Sequence, residues 1–298
     1  MFNINPWIIA ARPKTLFAIC SPIIVALTLS DIIYNQVNWS VVTLTVFSAA
    51  LLQIGSNYAN DAYDFINGAD KINRVGPKRM AQEGVLEPNT ILNMMYFIFT
   101  ISVLIGFYLA KVGGWPIVIV GLLCILFAII YTGGPYPLAY NALGDVTVFI
   151  FFGLVATLGS FYLQNPSPEH FFKHIEIICL AAAAVGFLNT SILVVNNVRD
   201  YKTDKESNKK TLVVLFGQKF GCYEYLLLIC LSYICFGLIS FLLKNYWIFL
   251  AVILILPSYL IQTVKIFSYN ESNLNKVLEK TAKLSFLTSV LFYFSTFI

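Results

Sequence analysis

The sequence predicts an all-α integral membrane protein of about nine transmembrane helices, and three observations support this prediction. Of the 298 residues, 58% are hydrophobic and 11% are charged, whereas a soluble domain carries about 25% charged residues. Apolar stretches of about 20 residues, the length needed to cross a bilayer, recur along the whole chain. Lysine and arginine collect in alternate loops, as in proteins that cross the membrane many times.

Nine apolar stretches are the predicted spans. They cover residues 15–34, 40–60, 91–111, 114–132, 145–164, 174–197, 222–243, 246–266 and 282–298. The first follows Arg12 and Lys14 and is longer than the apolar region of a signal peptide, so we expect a retained helix. Lys111 and the turn at Gly113 and Gly114 separate the third span from the fourth. The longest charged loops follow the second and sixth spans.

The basic residues predict how the chain is oriented in the membrane. With nine spans, the N-terminus and every second loop share one side, and 16 of the 19 lysines and arginines lie there. That side is predicted to be cytoplasmic. The other side holds Lys111, Lys173 and Lys244. The same asymmetry accounts for the net charge of +4, which therefore does not indicate a nucleic-acid partner.

Two polar clusters stand at the ends of the second and sixth spans, about 140 residues apart. Each contains amides, then spaced carboxylates, then basic residues. The first comprises Asn57, Asn60, Asp61, Asp64, Lys78 and Arg79, and the second comprises Asn196, Asn197, Arg199, Asp200, Asp204, Lys209 and Lys210. This repetition predicts a single membrane-embedded domain over residues 1–298, with two functionally similar halves of about 1–140 and 141–298.

The spacing within each cluster favours a bound divalent cation. Residues three or four apart share a helix face, which brings Asp61 toward Asp64 and Asp200 toward Asp204. Stacked like charges destabilise a helix, and more so near a membrane. Oxygen ligands from Asp and Asn suit Mg²⁺, which usually takes further oxygens from a substrate phosphate, and the downstream basic residues suit the phosphate itself. The alternative is that both clusters are ordinary solvated loop charges.

A third polar segment, residues 131–145, lies between the fourth and fifth spans and contains no lysine or arginine. It is either a rigid turn set by glycine and proline, or a wall whose Tyr131, Tyr136 and Tyr140 rings stabilise a carbocation. The second interpretation fits chemistry on an allylic diphosphate. Bound metal promotes the departure of pyrophosphate, and membrane helices exclude the water that would quench the allylic cation.

The two aspartate clusters resemble the aspartate-rich motifs of the UbiA-type intramembrane aromatic prenyltransferases. The likeness covers essentially the whole chain and is closest to the MenA branch, the 1,4-dihydroxy-2-naphthoate polyprenyltransferases. It rests on Ala11–Thr15, Asn57–Asp64 with Gly68 and Asp70, Gly76–Arg79 with Gln82 and Gly84, Leu143–Asp145, and Asn196–Asp200 through Lys209–Leu212. The resemblance implies nine helices around a central, lipid-facing cavity and Mg²⁺ as cofactor. It also implies polyprenyl transfer from the diphosphate to 1,4-dihydroxy-2-naphthoate, with loss of carbon dioxide and pyrophosphate, giving demethylmenaquinone for menaquinone biosynthesis.

The resemblance also implies a role for each matching residue. The metal ligands are Asn57, Asp61, Asp64, Asp200 and Asp204. The catalytic residues are Asp61, Asp64, Asp200, Asp204 and Tyr131, with Tyr131 near the allylic carbons. The substrate-binding residues are Asn57, Asn60, Lys78, Arg79, Asn196, Asn197, Arg199, Lys209 and Lys210.

The sequence departs from the family pattern at three positions. Gly68 stands where the general first motif has a third acid, and Asp70 follows two residues later, as in the MenA branch. Asn208 and Leu215 stand where that branch often has glycine and arginine. No residue stands out as a general base, because the two histidines fall on the predicted outer side.

Three other functions stay open from the sequence. An enzyme of the same type acting on 4-hydroxybenzoate or on homogentisate shares the motifs. A secondary transporter also has repeats with polar breaks, but its binding residues lie near the middle of the membrane. In each case the expected surroundings are membrane lipid, and for the enzyme we expect the inner membrane of a bacterium with the active site toward the cytoplasm.

Overall fold

The computed structural model describes residues 4–69, 76–269 and 271–297, and these residues form helices and no β-strand. The helices are α1 (Asn5–Ala11), α2 (Phe17–Tyr34), α3 (Trp39–Ile66), α4 (Pro88–Gly113), α5 (Trp115–Ile130), α6 (Gly144–Phe149), α7 (Ala156–Gln164), α8 (Pro168–Lys173), α9 (Ile175–Arg199), α10 (Tyr201–Glu206), α11 (Leu212–Phe216), α12 (Gln218–Leu242), α13 (Tyr246–Ile253), α14 (Leu256–Ile266) and α15 (Glu271–Phe294). A π-helical turn, Ile150–Val155, joins α6 to α7. Short 3₁₀ turns occupy Pro13–Leu16, Leu138–Tyr140 and Ser295–Phe297.

Within the described ranges, seven helical segments are long and apolar enough to cross a membrane. They are Asn5–Tyr34, Trp39–Ile66, Pro88–Gly113, Gly144–Gln164, Ile175–Arg199, Gln218–Leu242 and Tyr246–Ile266. α5 is also apolar but has 16 residues, and α15 has 24 residues with charged side chains in its first half. Each of the predicted apolar stretches overlaps one of these helices. The prediction of an all-α integral membrane protein is confirmed.

α9 runs through the centre of the larger hydrophobic core. It packs against α2, α6, α12 and α15, and most of its surface is buried. Small residues on α9 let neighbouring backbones approach closely. A Cβ added at Gly153, in the π-helical turn, would lie 2.5 Å from the Cα atom of Gly186 in α9. This packing leads the end of α9, with Asn196 and Asn197, into the interior of the protein.

α3 and α4 form the second core. Tyr58 packs there with Phe99, and a Cβ added at Gly55 would lie 2.3 Å from the ring of Phe99, so only glycine fits under that ring. The α4 helix therefore covers one side of α3. The residues Asn60 and Asp64 of the same helix line a cavity instead.

One buried amide joins two irregular helices. α2 contains Pro22, which has no N–H group to bond to the carbonyl of Ala18. The Nδ2 of Asn189 in α9 donates to that carbonyl at 3.1 Å and to the carbonyl of Phe152, in the π-helical turn, at 3.0 Å. The Oγ of Ser285 in α15 lies 3.2 Å from Asn189 Oδ1. Asn189 thus satisfies backbone carbonyls at a proline and at a π-helical turn.

Candidate active site

A cavity of about 590 Å³ lies between α2, α3, α4, α5, α7 and α9. Most of its wall is apolar, with aromatic residues such as Phe107, Phe127 and Phe151. The charged wall residues come from helix ends and the adjoining loops, and with the polar residues beside them they include Arg12, Asn60, Asp64, Arg79, Tyr131, Asp145, Asn196, Asn197, Arg199 and Lys209. The cavity therefore suits a molecule with a charged head and a long apolar tail.

The predicted site residues divide into two groups. Eight of them line the cavity: Asn60, Asp64, Arg79, Tyr131, Asn196, Asn197, Arg199 and Lys209. The other six form no part of its wall: Asn57, Asp61, Lys78, Asp200, Asp204 and Lys210. Lys78 and Lys210 are exposed. Asp70, named in the sequence motif, lies outside the described residues.

Asp64 is the cavity-lining carboxylate of the first cluster. Its Oδ1 accepts a 2.7 Å hydrogen bond from the hydroxyl of Tyr140, and its Oδ2 lies 2.5 Å from a guanidinium nitrogen of Arg79. Arg79 also donates to the backbone carbonyl of Asn60, and the Asn60 side-chain oxygen accepts from the Thr132 hydroxyl at 2.9 Å. Both ions are buried, so the pair is held in fixed geometry at the cavity wall.

Asp61 precedes Asp64 by three residues on α3, but its carboxylate lies against the backbone of the following loop and not in the cavity wall. It is fully buried, and its two oxygens accept from the backbone N–H groups of Met80 and Ala81, each at 3.0 Å. These bonds hold the turn that carries Arg79 against α3. Asp61 therefore contributes to the site through the position of Arg79.

The side chain of Asn57 is hydrogen-bonded to the N-terminal segment of the protein and not exposed to the cavity. Its Nδ2 donates to the carbonyl of Ala11 at 2.9 Å and to the hydroxyl of Thr15 at 3.0 Å. Its Oδ1 accepts from Gln53 at 3.3 Å. The amide thus ties α3 to the break between α1 and α2, where Arg12 has φ 51°.

The second cluster contains a buried ion pair between neighbours. Arg199 donates to both oxygens of Asp200, with both distances 2.7 Å. The same guanidinium donates to Asn196 Oδ1 at 2.6 Å and to Asn275 Oδ1, in α15, at 3.0 Å. Arg199 lines the cavity while Asp200 orients it from behind. The guanidinium is thereby fixed by four hydrogen bonds.

Lys209 connects the second cluster to the tyrosine segment. Its Nζ lies 3.8 Å from Asp204 Oδ1 and 5.4 Å from the ring centre of Tyr140. Since the hydroxyl of Tyr140 bonds to Asp64, one tyrosine contacts both clusters. The backbones also meet, because Lys210 N–H donates to the Tyr140 carbonyl at 3.1 Å and the Lys210 carbonyl accepts from Ala142 N–H at 2.7 Å. The two loops thus close the same end of the cavity.

Tyr131 stands among the carboxylates of both clusters. Burial raises the pKa of its hydroxyl, and the charges of Asp145, Asp64 and Asp204 raise it further. The pKa of Tyr140 is raised by burial and by its hydrogen bond to Asp64. Both phenols are therefore neutral at physiological pH, so they act as hydrogen-bond donors and as aromatic surfaces rather than as bases.

The donor set at this end fits a hard divalent cation. In the described residues no three His, Cys, Asp or Glu side chains converge. The carboxylates of Asp64 and Asp204 and the amide oxygens of Asn60 and Asn196 supply oxygen ligands only. Few oxygen ligands from the protein, with the rest from a phosphate, is the usual arrangement for Mg²⁺.

Two residues of the site have no individual role among those that the resemblance implies. Tyr140 links both clusters, and the sequence predicts it only as one ring of a tyrosine wall. Asp145 lines the cavity and is 5% exposed, and its only signal was the motif Leu143–Asp145. Neither has a spacing relation to the aspartate clusters, so only the fold brings them there.

The fold and the site define a class of protein: a helical membrane enzyme whose cavity is charged at one end and apolar along its walls. The chain belongs to the UbiA prenyltransferase family, whose sequence profile matches residues 19–288. It is 34% identical to the 1,4-dihydroxy-2-naphthoate octaprenyltransferase of Escherichia coli (strain K12), over 98% of this chain and 95% of the relative. It is 32% identical to the protein of the same description from Bacillus subtilis (strain 168), over 89% of this chain and 83% of the relative.

Solved structures show the same fold. A UbiA homolog from Archaeoglobus fulgidus bound to GPP and Mg²⁺ matches with a TM-score of 0.70, covering 99% of this chain and 100% of the other at 16% identity. The same homolog bound to DMAPP and Mg²⁺ gives a TM-score of 0.67 at 18% identity. Prenyl diphosphates and Mg²⁺ are therefore ligands of a protein that shares this architecture.

Proposed function

We propose that this protein transfers an all-trans polyprenyl group from its diphosphate to 1,4-dihydroxy-2-naphthoate in a Mg²⁺-dependent reaction. Carbon dioxide and pyrophosphate leave, and the immediate product is demethylmenaquinol, the quinol form of demethylmenaquinone. The observation that carries the proposal is the cavity, which combines an apolar wall with Arg79, Arg199 and Lys209 at one end. The names of the relatives that align over nearly the whole chain support the naphthoate acceptor.

We further propose nine membrane helices around the cavity, with the N-terminus and the charged end of the cavity at the cytoplasmic face of a bacterial inner membrane. The overlap of α5 and α15 with predicted spans supports the count. The location of 16 of the 19 basic residues on one side supports the orientation.

In this proposal the cationic side chains bind the diphosphate. Arg79 and Arg199 are held in place by Asp64 and Asp200, so both guanidinium groups are positioned at the cavity wall before the substrate binds and lose little side-chain freedom on binding. Lys209 is a less constrained cation beside Asp204. Asp64 and Asp204, with Asn60 and Asn196, would hold Mg²⁺, which when bound neutralises the charge of the leaving pyrophosphate.

The reacting carbons would lie beside Tyr131. The ring of a neutral tyrosine presents a negative π face to developing allylic charge, and burial excludes water that would capture the cation. The apolar wall holds the prenyl chain by contact with its methyl and methylene groups.

The proposal of Asp61, Asn57 and Asp200 as metal ligands stays a prediction. Their present partners are backbone groups, Thr15 and Arg199, and these contacts favour a positioning role. If Asp61, Asn57 or Asp200 is to bind Mg²⁺ when the substrate is present, these hydrogen bonds must break first.

The test is product analysis with membranes that contain the protein. Membranes, Mg²⁺ and a long all-trans polyprenyl diphosphate are incubated with either 1,4-dihydroxy-2-naphthoate or 4-hydroxybenzoate, and lipid products are identified by mass. We expect a decarboxylated, prenylated product from the naphthoate alone. Prenylated hydroxybenzoate would overturn the acceptor, and no product from either acceptor with folded protein would overturn the reaction.

A further inference from the structure

Asp145 is a buried carboxylate of the cavity wall that the proposed reaction has not yet used. It lies in the first turn of α6, is 5% exposed, and lines the cavity. Its Oδ1 has no hydrogen-bond partner in the described part of the chain. A buried carboxylate oxygen without a partner is costly and is uncommon outside functional sites.

The charges around Asp145 differ from those around the other acids of the site. Asp64, Asp200 and Asp204 each lie against a basic side chain. Within the described ranges no basic side chain pairs with Asp145, and the carboxyl group of Glu224 in α12 is near enough for the charge of Asp145 to act on it. An anionic substrate group would be repelled here. A carboxylate oxygen accepts hydrogen bonds, so the position suits a neutral hydroxyl donor.

Asp145 also stands close to the proposed reaction centre. A Cβ placed on Gly144, the preceding residue, would lie 3.3 Å from the hydroxyl oxygen of Tyr131 and 3.5 Å from Leu193 in α9. The carboxylate of Asp145 is the largest charge contribution to the electrostatic environment of the Tyr131 hydroxyl. The acid therefore adjoins the tyrosine that we place beside the allylic carbons, next to an apolar surface.

We propose that Asp145 binds the aromatic acceptor by accepting a hydrogen bond from one of its ring hydroxyls. This inference rests on the proposed prenyl transfer. The ring carbon that carries the carboxylate bonds to the allylic carbon while the allylic C–O bond breaks and its electron pair leaves on pyrophosphate. Positive charge then spreads to the ring hydroxyl, where Asp145 stabilises it. The C–C electron pair released with carbon dioxide restores the aromatic ring, so no net proton is transferred and no separate base is required.

The same contact orients the ring. The acceptor carries one carboxylate and two hydroxyls, and Asp145 attracts a hydroxyl while repelling the carboxylate. The diphosphate is excluded from this position for the same reason and is left to Arg79, Arg199 and Lys209. Asp145 thus separates the acceptor from the donor within one cavity.

A chemical double-mutant cycle tests the inference. The wild type, Asp145→Asn and Asp145→Ala are assayed with 1,4-dihydroxy-2-naphthoate and with each of its two monomethyl ethers. We expect Asp145→Asn to lower kcat/KM for the parent acceptor by about 10- to 100-fold, the range for a charged hydrogen bond. Methylation of the contacted hydroxyl lowers wild-type kcat/KM by a similar factor. It lowers that of Asp145→Ala less than about threefold, because the contact is already absent, and that of Asp145→Asn less than that of the wild type, because the amide oxygen is a weaker acceptor.

The controls separate binding of the acceptor from folding. In Asp145→Asn, the KM for the polyprenyl diphosphate should stay within about twofold of the wild-type value. The thermal midpoint should stay within a few degrees of the wild type, since the isosteric change keeps the cavity volume. Asp31 lies in the last turn of α2 and is not part of the cavity wall. Asp31→Asn is therefore the control for the loss of a carboxylate, and we expect wild-type values in all assays.

Two outcomes overturn the inference while leaving the proposed function intact. One is a wild-type kcat/KM for the parent acceptor in Asp145→Asn. The other is an equal methylation penalty in the wild type and in both variants. If the wild type prenylates a different phenol, the proposed acceptor is wrong. The same mutant cycle with that phenol and its methyl ether then tests whether Asp145 binds the hydroxyl of the acceptor. A wild type that prenylates no phenol overturns both.

Discussion

At the scale of single residues, the two acids of the first cluster take different positions. Helical spacing predicts that Asp61 and Asp64 share a face. In the structure Asp61 accepts from two backbone N–H groups of the loop after α3, while Asp64 lines the cavity. Spacing in the sequence cannot distinguish Asp61 from Asp64, because their different environments depend on where the backbone of residues 80 and 81 packs against α3.

Asp64→Asn and Asp61→Asn separate these two roles. Asp64→Asn removes the charge that faces the cavity, and we expect kcat to fall by about 10³-fold. Its thermal midpoint should also fall, because the buried guanidinium of Arg79 loses its paired carboxylate. Asp61→Asn places an NH₂ group against backbone N–H donors, so we expect about 1–3 kcal/mol of lost stability and a smaller loss of kcat. Initial rates and thermal denaturation in detergent check both. Equal loss of kcat without destabilisation of Asp61→Asn would instead support the metal-ligand prediction for Asp61.

Tyr140 supports another prediction at this scale, because it contacts both clusters through different atoms. Tyr140→Phe removes the hydrogen bond to Asp64 and keeps the ring near Lys209, so kcat/KM for the diphosphate should fall by about threefold to tenfold. Tyr140→Leu removes both contacts and should cost more. Steady-state kinetics with varied diphosphate measure the difference. Identical losses in the two variants would show that the ring contact with Lys209 contributes nothing.

At the scale of elements, the cavity depends on two irregular helices. Pro22 interrupts the hydrogen bonds of α2, and the turn Ile150–Val155 is π-helical. Such turns are rare and occur often at functional sites. The amide of Asn189 bonds to a carbonyl at each irregularity, and both helices line the cavity. The apolar stretches predicted these helices correctly but contained no signal for the π-helical turn, which depends on contact between Gly153 and Gly186.

Asn189→Leu tests this element-scale connection. The change leaves two carbonyls without their donor inside the protein, so we expect a loss of stability of about 2–4 kcal/mol, from about 1–3 kcal/mol for each unsatisfied group with partial relaxation. Thermal unfolding in detergent measures the effect. Thr190→Val is a matched control on the same helix, since its hydroxyl bonds only to the carbonyl of Gly186 within α9. Equal stability of the two variants would contradict the bridging role of Asn189.

At the scale of the whole molecule, hydropathy and charge predict most of the fold. Each predicted span overlaps a helix, because a chain in lipid must satisfy its backbone hydrogen bonds within the helix. The eight predicted residues that line the cavity come from the two polar clusters and from the resemblance to the family's motifs, whereas the contacts of Asp145 and Tyr140 follow only from the three-dimensional arrangement. Residues that act through the loop backbone, such as Asp61, look the same in sequence as residues that face the cavity.

The proposed topology makes a prediction at this scale. In a variant whose native cysteines are replaced, Lys173→Cys should react with an impermeant maleimide added to intact cells, because it lies on the proposed outer side. Lys205→Cys should react only after the membrane is permeabilised. Labelling is read by mass shift on a gel. The reverse pattern would invert the proposed orientation, and labelling of both in intact cells would contradict the single span, α9, that separates the two loops.

Release of carbon dioxide from carboxyl-labelled 1,4-dihydroxy-2-naphthoate tests the central claim most directly, because it reports on acceptor and chemistry together. With the wild type, we expect labelled carbon dioxide and prenylated lipid in equal amounts, and neither when polyprenyl diphosphate or Mg²⁺ is omitted. Asp64→Asn should lose both signals together. Release of carbon dioxide without the diphosphate, or prenylated lipid that retains the label, would contradict decarboxylating prenyl transfer by this protein.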